Sequence, residues 1–331
     1  MSAALRISDL HTTFGSGDGA VRAVRGIDLE IAPGGTYVLL GESGSGKSVT
    51  ARSILGLYGP AAKVTGSVCL GADELITMAP RQLRQVRGTR LGLVPQDPTG
   101  ALDPLRGIGA QLGEVLAVHG LAPGRAQRRA AVLRLLASVG IADPARVAAS
   151  RPHQLSGGMR QRAVIAIAIA GEPEVLIADE PTTALDVTVQ AAVLGLIRDL
   201  QTRHGMALLM VTHDVGVAEE LGGTVGVMYA GRLVETGPAR EVLRDPRHPY
   251  TRGLLASLPV PGVARGELRV IPGRPPLTGE SGTGCAFAPR CPLAVASCRH
   301  RPPPLVALGA GGRAAACPVL NDEPVAKELV S

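Results

Sequence analysis

Residues 37–57, YVLLGESGSGKSVTARSILGL, pass from an apolar stretch through a glycine-rich turn into a segment compatible with a helix from about Lys47. No other segment restricts the possible folds so tightly. Residues 41–48 fit G-x-x-x-x-G-K-[ST], and a strand before with a helix after is the context that gives this pattern its chemical meaning. Its glycines let successive backbone N–H groups close around phosphates, and the helix start adds the positive end of its dipole. The expected phosphate cradle is thus Gly41, Ser43, Gly44, Ser45, Gly46, Lys47, Ser48 and Val49, with Lys47 on the β and γ oxygens and Ser48 on Mg2+.

Two further apolar runs, EVLIADEP (174–181) and MALLMVTHD (206–214), suit parallel strands buried on both faces. An α/β fold is therefore expected, with polar residues gathered at strand ends, where open sheets place their ligands. Asp179 ends the first run within reach of a Mg2+ shell. Glu180 then faces the γ-phosphate, where a carboxylate orients and polarises the attacking water; a solvated helix-capping acid is the plainer alternative. His213 ends the second run and is a candidate contact for the γ-phosphate or that water, although a histidine after a strand also serves structure alone. In HQLSGGMRQR (153–162), Ser156, Gly157 and Gly158 stand at another helix start, either an anion site or simply an N-cap with a flexible entry.

Between these runs, residues 104–160 contain IGAQLGEVLAVHG and RAQRRAAVLRLLASVG, whose apolar spacing is helical, so a helical insertion is expected. From about Arg244 the texture changes to DPRHPY, LPVPG, PGRPP and RPPPL, which makes long regular elements improbable and predicts a separate tail region. No period of 20 to 50 residues repeats, which excludes a solenoid. Lys plus Arg number 34 against 28 Asp plus Glu, and the resulting +6 suits a polyanionic partner: a nucleotide, a nucleic acid or an anionic membrane face. The opening MSAALRISDL lacks a basic stretch followed by a long apolar one, and nowhere do eighteen apolar residues run together, so a cytosolic location is expected.

Four of the five cysteines, Cys285, Cys291, Cys298 and Cys317, crowd into the proline-rich tail. In a reducing compartment such clustering favours metal or redox chemistry over disulfides. No C-x₂₋₄-C pair of the kind structural zinc sites use occurs there, whereas four thiolates at looser spacing can hold an iron–sulfur cluster. Cys291 and Cys317 each precede proline, as in some ferredoxin runs, and Arg290, Arg299 and Arg301 are candidates to offset cluster charge. Cys69, in GSVCLG, reads as a buried strand cysteine.

These residues, in this order and spacing, resemble the nucleotide-binding subunit of an ABC transporter. GESGSGKS matches Walker A, LSGGM the signature, VLIADE Walker B, ALD (184–186) the D-loop and His213 the switch. The resemblance implies that Gln96, in LVPQDP, is the Q-loop glutamine that contacts Mg2+ and communicates with membrane subunits, and that Phe14, in HTTFGSG, is the aromatic that stacks on adenine; a core Phe is the alternative at that position. It covers nearly the whole chain. PHQLSGGMRQR and ADEPTTALDVTVQ, with HPYTRGLLASLP and IPGRPP further on, narrow it to the ATPases of dipeptide and oligopeptide importers. Met159 replaces the glutamine common in ABC signatures, as is usual in that branch, and Pro95 precedes Gln96 where a hydrophobic or aromatic residue is more familiar.

What the resemblance implies can be stated in full. The fold is a P-loop NTPase core of ABC type over 1–243, with a helical subdomain at about 97–162 and a proline-rich, cysteine-containing extension over 244–331. ATP and Mg2+ lie between Lys47, Ser48, Asp179, Glu180, Gln96 and His213 of one subunit and Ser156, Gly157 and Gly158 of another. Implied partners are a second ABC ATPase subunit, two transmembrane permease subunits and an extracytoplasmic substrate-binding protein, with the chain peripheral at the cytoplasmic face. Some members of the branch are implied to carry a [4Fe-4S] cluster in the tail; zinc or unligated thiols are the alternatives. Import of nickel or another small solute is the neighbouring functional reading. A soluble ABC ATPase acting on nucleic acid is the more distant one, disfavoured by the single P-loop and the lack of sustained heptads or a C-x-x-C pair.

Overall fold

The computed structural model describes residues 3–183, 185–257, 270–276, 282–309 and 311–320. The strands are β1 (Leu5–Phe14), β2 (Val21–Ile31), β3 (Thr36–Leu40), β4 (Ala62–Leu70), β5 (Asp73–Glu74), β6 (Leu91–Val94), β7 (Val175–Asp179), β8 (Ala207–Thr212), β9 (Thr224–Tyr229), β10 (Arg232–Pro238), β11 (Val306–Ala307) and β12 (Ala314–Ala315). The helices are α1 (Lys47–Ile54), α2 (Pro80–Val86), α3 (Pro98–Ala101), α4 (Ile108–Val118), α5 (Arg125–Ser138), α6 (Pro144–Ala149), α7 (Gly157–Ala168), α8 (Val187–His204), α9 (Val215–Leu221), α10 (Ala239–Arg244) and α11 (Pro249–Ala256).

The apolar runs form the middle of one eight-stranded sheet, ordered β11-β12-β10-β9-β3-β8-β7-β6. Its β9-β3-β8-β7-β6 block is parallel, and the strands on the β10 side are antiparallel. Side chains of a strand alternate between faces, and both faces here are covered. Val38, Leu40, Leu176, Ala178, Leu208 and Met210 enter a core shared with the helices. Tyr37, Leu39, Val175, Ile177, Leu209 and Val211 enter a second core, shared with the antiparallel sheet β2-β1-β4-β5. Burial on both sides explains why these strands read as unbroken apolar runs rather than as alternation.

The two helical stretches of the insertion become α4 and α5, whose Leu112, Leu116, Val132 and Leu136 are buried against each other and α7. The expected boundary near 162 falls inside α7, which continues to Ala168 with Ala163, Val164, Ile165 and Ala166 in the core. That helix packs the insertion against the sheet.

The tail differs from the expectation of a separate region. Its β12 pairs with β10, Glu235 facing Ala315, so the extension lengthens the main sheet. Glu235 is fully buried and accepts from Arg247 N (2.8 Å), His248 N (2.9 Å) and Arg313 Nη2 (3.2 Å). His248 caps α11 by accepting from Tyr250 N at 3.1 Å. A buried carboxylate persists only when its lone pairs are satisfied, and these donors come from the tail itself. Cys69 does lie on β4, but it is half-buried rather than buried, beside Ser67 and the Glu74 carboxylate. Among the described residues no helix is long and apolar enough to cross a membrane.

Candidate active site

The loop between β3 and α1 takes its shape from glycine. Gly46 is the residue before α1 with φ +104°, and a Cβ there would come within 2.6 Å of the Ala23 carbonyl oxygen and 2.7 Å of Met228 Cε. Only glycine accepts that conformation and that closeness together. Lys47 follows, 3% exposed, and in this arrangement its Nζ donates to Gly41 O (2.8 Å) and Glu42 O (2.9 Å). Burial pushes the Lys47 ammonium below its usual range, opposed by the nearby carboxylates of Glu180, Asp179 and Glu42. Ser43 and Gly44 at the tip are exposed, and Ser45 is buried.

Asp179 and Glu180 arrive at the end of β7. The Ser48 hydroxyl donates to Asp179 Oδ1 at 2.7 Å, so two hard oxygen donors meet at the start of α1. Burial raises the Asp179 carboxyl, and the Ser48 hydrogen bond opposes the rise. Oxygen donors beside a phosphate loop are the donor set that Mg2+ prefers, so the pair fits the ion. Glu180 takes a left-handed backbone at φ +48°, its N–H donating to Val211 O at 2.9 Å. A non-glycine residue in that conformation costs roughly 1–2 kcal/mol and persists where neighbours over-determine it.

Those neighbours converge on one oxygen. Glu180 Oε2 accepts from Gln96 Nε2 (3.1 Å) and Thr183 Oγ1 (3.0 Å), and His213 Nδ1 lies 3.1 Å away. Glu180 Oε1 is 3.8 Å from Lys47 Nζ. Ser43, Gly44, Gly46, Lys47, Ser48, Val49, Gln96, Glu180 and Ala23 line one open cavity of about 170 Å³. Gln96 therefore touches Glu180 rather than the Ser48–Asp179 pair. A carboxylate held by three side chains, next to a lysine and glycine amides, is arranged to polarise a water against a phosphorus centre.

Ser156 stands apart from this cavity. It is the N-cap of α7, its Oγ accepting from Met159 N at 3.3 Å, and it is exposed, with Gly157 and Gly158 half-buried behind it. Among the described residues no hydrogen bond joins these three to residues 41–48. Phe14 ends β1 and packs edge-on against Tyr58, ring centroids 5.0 Å apart, outside the residues that line the cavity. Of the D-loop segment 184–186, Ala184 lies outside the described residues. Thr183 was not singled out from sequence; its place three residues after Glu180 was the available signal.

The four tail cysteines line one small cavity together with His248, Phe287 and Leu293. All are free thiols. Burial raises the thiols of Cys285, Cys291 and Cys317 above their usual range. The expected metal shell is not formed: among the described residues no group of three or more His, Cys, Asp or Glu side chains is arranged to hold a metal ion. Arg290 also departs from the expected role of balancing cluster charge, because its guanidinium reaches Glu42 (3.2 Å) and Tyr229 Oη (3.2 Å).

The chain is similar to known proteins over most of its length. Residues 24–183 match the ABC transporter family, and residues 234–298 match the oligopeptide/dipeptide transporter C-terminal region. A Brucella ovis relative named for peptide import and ATP binding is 48% identical over 92% of this chain and 94% of its own length. The oligopeptide transport ATP-binding protein OppD of Mycobacterium tuberculosis is 45% identical over 95% of this chain, which spans 52% of that longer protein. Among solved structures, the dimeric post-hydrolysis state of the ATP-binding cassette MJ0796 with ADP and Pi superposes with a TM-score of 0.63 at 28% identity, covering 71% of this chain and 99% of that one. CbiO1 of Clostridium perfringens, part of an ABC transporter complex, gives 0.62 at 25% identity over 74% and 92%. The chain belongs to the ATP-hydrolysing subunits of the ABC transporter family, in the branch that carries the oligopeptide/dipeptide transporter C-terminal region.

Proposed function

We propose that this subunit powers the import of dipeptides and oligopeptides through partner membrane subunits. The observation that carries the mechanism is the separation of the two phosphate-binding motifs. Lys47, Ser48, Gln96 and Glu180 line one cavity, with Asp179 hydrogen-bonded to Ser48 and His213 to Glu180, while Ser156, Gly157 and Gly158 sit exposed or half-buried at another helix start. A second ABC ATPase subunit, identical or homologous, would bring its own 156–158 onto the nucleotide held by this chain. Lys47 exchanges its loop carbonyls for β- and γ-phosphate oxygens, and amides of residues 43–49 bind the rest. Ser48 and Asp179 would hold Mg2+, which supplies charge neutralisation at the phosphates. Glu180, oriented by Gln96, Thr183 and His213, accepts a hydrogen bond from the attacking water and aims it in line. Loss of the γ-phosphate removes contacts that favoured closure, so the two subunits part and the permeases change facing. Phe14 is the proposed adenine partner.

The implied assembly adds two transmembrane permease subunits and an extracytoplasmic substrate-binding protein, with this subunit peripheral at the cytoplasmic face and no nucleic acid involved. The matched 234–298 region and the names of the relatives support peptides over nickel as cargo. The proposal extends to Cys285, Cys291, Cys298 and Cys317 as ligands of a structural [4Fe-4S] cluster, with Zn2+ as the alternative. Its support is that all four line one cavity. Iron and sulfide in stoichiometric amounts, with visible absorption bleached by dithionite, are expected; stoichiometric zinc overturns the cluster.

The transport reading is tested by reconstituting the subunit with its permeases and binding protein in vesicles. Uptake of a labelled tripeptide should require ATP and stop in Glu180→Gln; ATP-driven uptake of Ni2+ with none of peptide overturns it.

A further inference from the structure

Aromatic residues are scarce in this chain, 4 Tyr and 2 Phe with no Trp. Three of the six nevertheless meet behind the phosphate loop. Tyr229 ends β9, Tyr250 lies on α11 and Phe287 belongs to the tail, with ring centroids 4.5 Å (Tyr229–Tyr250), 5.4 Å (Tyr229–Phe287) and 5.5 Å (Tyr250–Phe287) apart. All three are at most 2% exposed. The Arg290 guanidinium stands over two of these rings, 5.9 Å from the centroids of Tyr229 and Phe287, and is itself 8% exposed. Its Nε donates to Pro272 O at 2.9 Å, which fixes the fork.

Two groups leave this cluster toward the nucleotide side, and both end on Glu42. Arg290 Nη1 pairs with Glu42 Oε2 at 3.2 Å, and the Tyr250 hydroxyl accepts from Glu42 N at 2.9 Å. Glu42 is the second residue of GESGSGKS and its one acidic side chain. Its carbonyl is also one of the two oxygens on which Lys47 Nζ rests. An unpaired carboxylate in an anion-binding loop repels a triphosphate, and a loop whose second residue is free loses the preset angle of its amides. The extension answers both problems, with a cation on the side chain and a hydroxyl on the backbone.

We propose that Arg290 and Tyr250 are positioning residues of the phosphate loop, through which the C-terminal extension sets the affinity of the subunit for ATP. The proposal rests on residues 41–48 as the nucleotide cradle and adds a role for the extension that the hydrolytic groups do not require. Neither residue lies among those lining the nucleotide cavity, so binding is affected and the chemical step is spared.

The test uses the full chain, with MgATPγS binding by titration calorimetry and kcat and KM for MgATP. Arg290→Met, which keeps the stem over the rings, is expected to raise Kd and KM about tenfold with kcat within about twofold. Tyr250→Phe is expected to raise them about threefold, losing one hydrogen bond. In a Glu42→Gln background the effect of Arg290→Met should shrink to less than about twofold, because the charge that needed a partner is gone. A general loosening of the tail would give the same penalty in both backgrounds, and that result, or an unchanged Kd, overturns the proposal. If Arg290→Met does not fold, the same comparison with Arg290→Gln, which removes the charge and keeps a polar head at the Pro272 carbonyl, decides on the same criterion. Failure of the unmodified chain to bind MgATPγS would instead overturn the nucleotide reading itself.

Discussion

Gln96 and Glu180, 84 residues apart in the chain, are joined by a hydrogen bond of 3.1 Å from Nε2 to Oε2. One sits just beyond β6 and the other at the end of β7, and the parallel pairing of those strands is what brings them together. Gln96 thus links the segment that enters the helical insertion to the carboxylate proposed to orient the attacking water. The carboxylate itself is expected to matter more. Glu180→Gln should lower kcat by about 10²–10⁴-fold with little change in nucleotide affinity, the signature of an interaction made only in the transition state. Gln96→Ala, which removes one of three donors, should lower kcat by about tenfold. Steady-state phosphate release from both variants checks this ordering; an unchanged kcat in Glu180→Gln removes Glu180 from the chemistry.

The glycines of the phosphate loop are not equivalent. At Gly44 (φ +80°) a Cβ would meet nothing within 4 Å, whereas at Gly46 it would strike backbone. Gly44→Ala carries only the left-handed backbone penalty of about 1 kcal/mol and should weaken ATP binding by no more than about tenfold. Gly46→Ala must move the start of α1 or the β2 backbone at Ala23, and binding should fall below detection. Equal affinities in the two variants would contradict the loop geometry.

His248 makes the stability of the extension depend on pH. Burial pushes its imidazole from the usual 6.5 down to about 3, and its Nδ1 is already committed as the acceptor that caps α11. The folded pKa is depressed, so between pH 6.5 and 3 the unfolded chain binds a proton that the folded chain refuses. The stability this group contributes is complete above pH 6.5 and is lost as pH falls toward the folded value. By pH 5 the loss amounts to about 2 kcal/mol. His248→Asn keeps a capping oxygen and removes the titration. Urea unfolding at pH 7.5 and pH 5 should therefore differ by about 2 kcal/mol less in the variant, and an identical difference would exclude His248 as the titrating group.

Much of the site was legible because its chemistry is written in contiguous words. GESGSGKS, VLIADEP and VTHD each fuse a strand with the polar residues at its end, so reading the strand places the side chains. Periodicity likewise located α4 and α5. What escaped depends on contacts between distant segments. The tail looked detached because its prolines break long elements, yet β12 needs only two residues to join the sheet, and Glu235, inside β10, carries no local sign of the three tail donors it receives. Arg290 sits among cysteines in sequence, and nothing local shows that its guanidinium points at a loop 248 residues away.

That buried carboxylate yields the sharpest stability prediction. Glu235 is fully buried, and its oxygens hold the backbone entry to α11 through Arg247 N and His248 N and the return strand through Arg313. Arg313 is 7% exposed and shares its charge with Asp245, whose carboxylate lies 3.3 Å from Nη1. In Glu235→Leu the two amides lose their acceptor and the guanidinium loses its buried partner, while the apolar volume is retained. Stranding buried donors in this way costs about 3–5 kcal/mol. The loss should fall on the extension first, because β12 joins the sheet through two residues paired with β10, whereas β3, β7 and β8 are hydrogen-bonded to one another in its parallel middle. Amide exchange should accelerate in residues 246–256 and 311–317 well before the parallel strands. If exchange rises uniformly, or not at all, Glu235 is not the tie between tail and core.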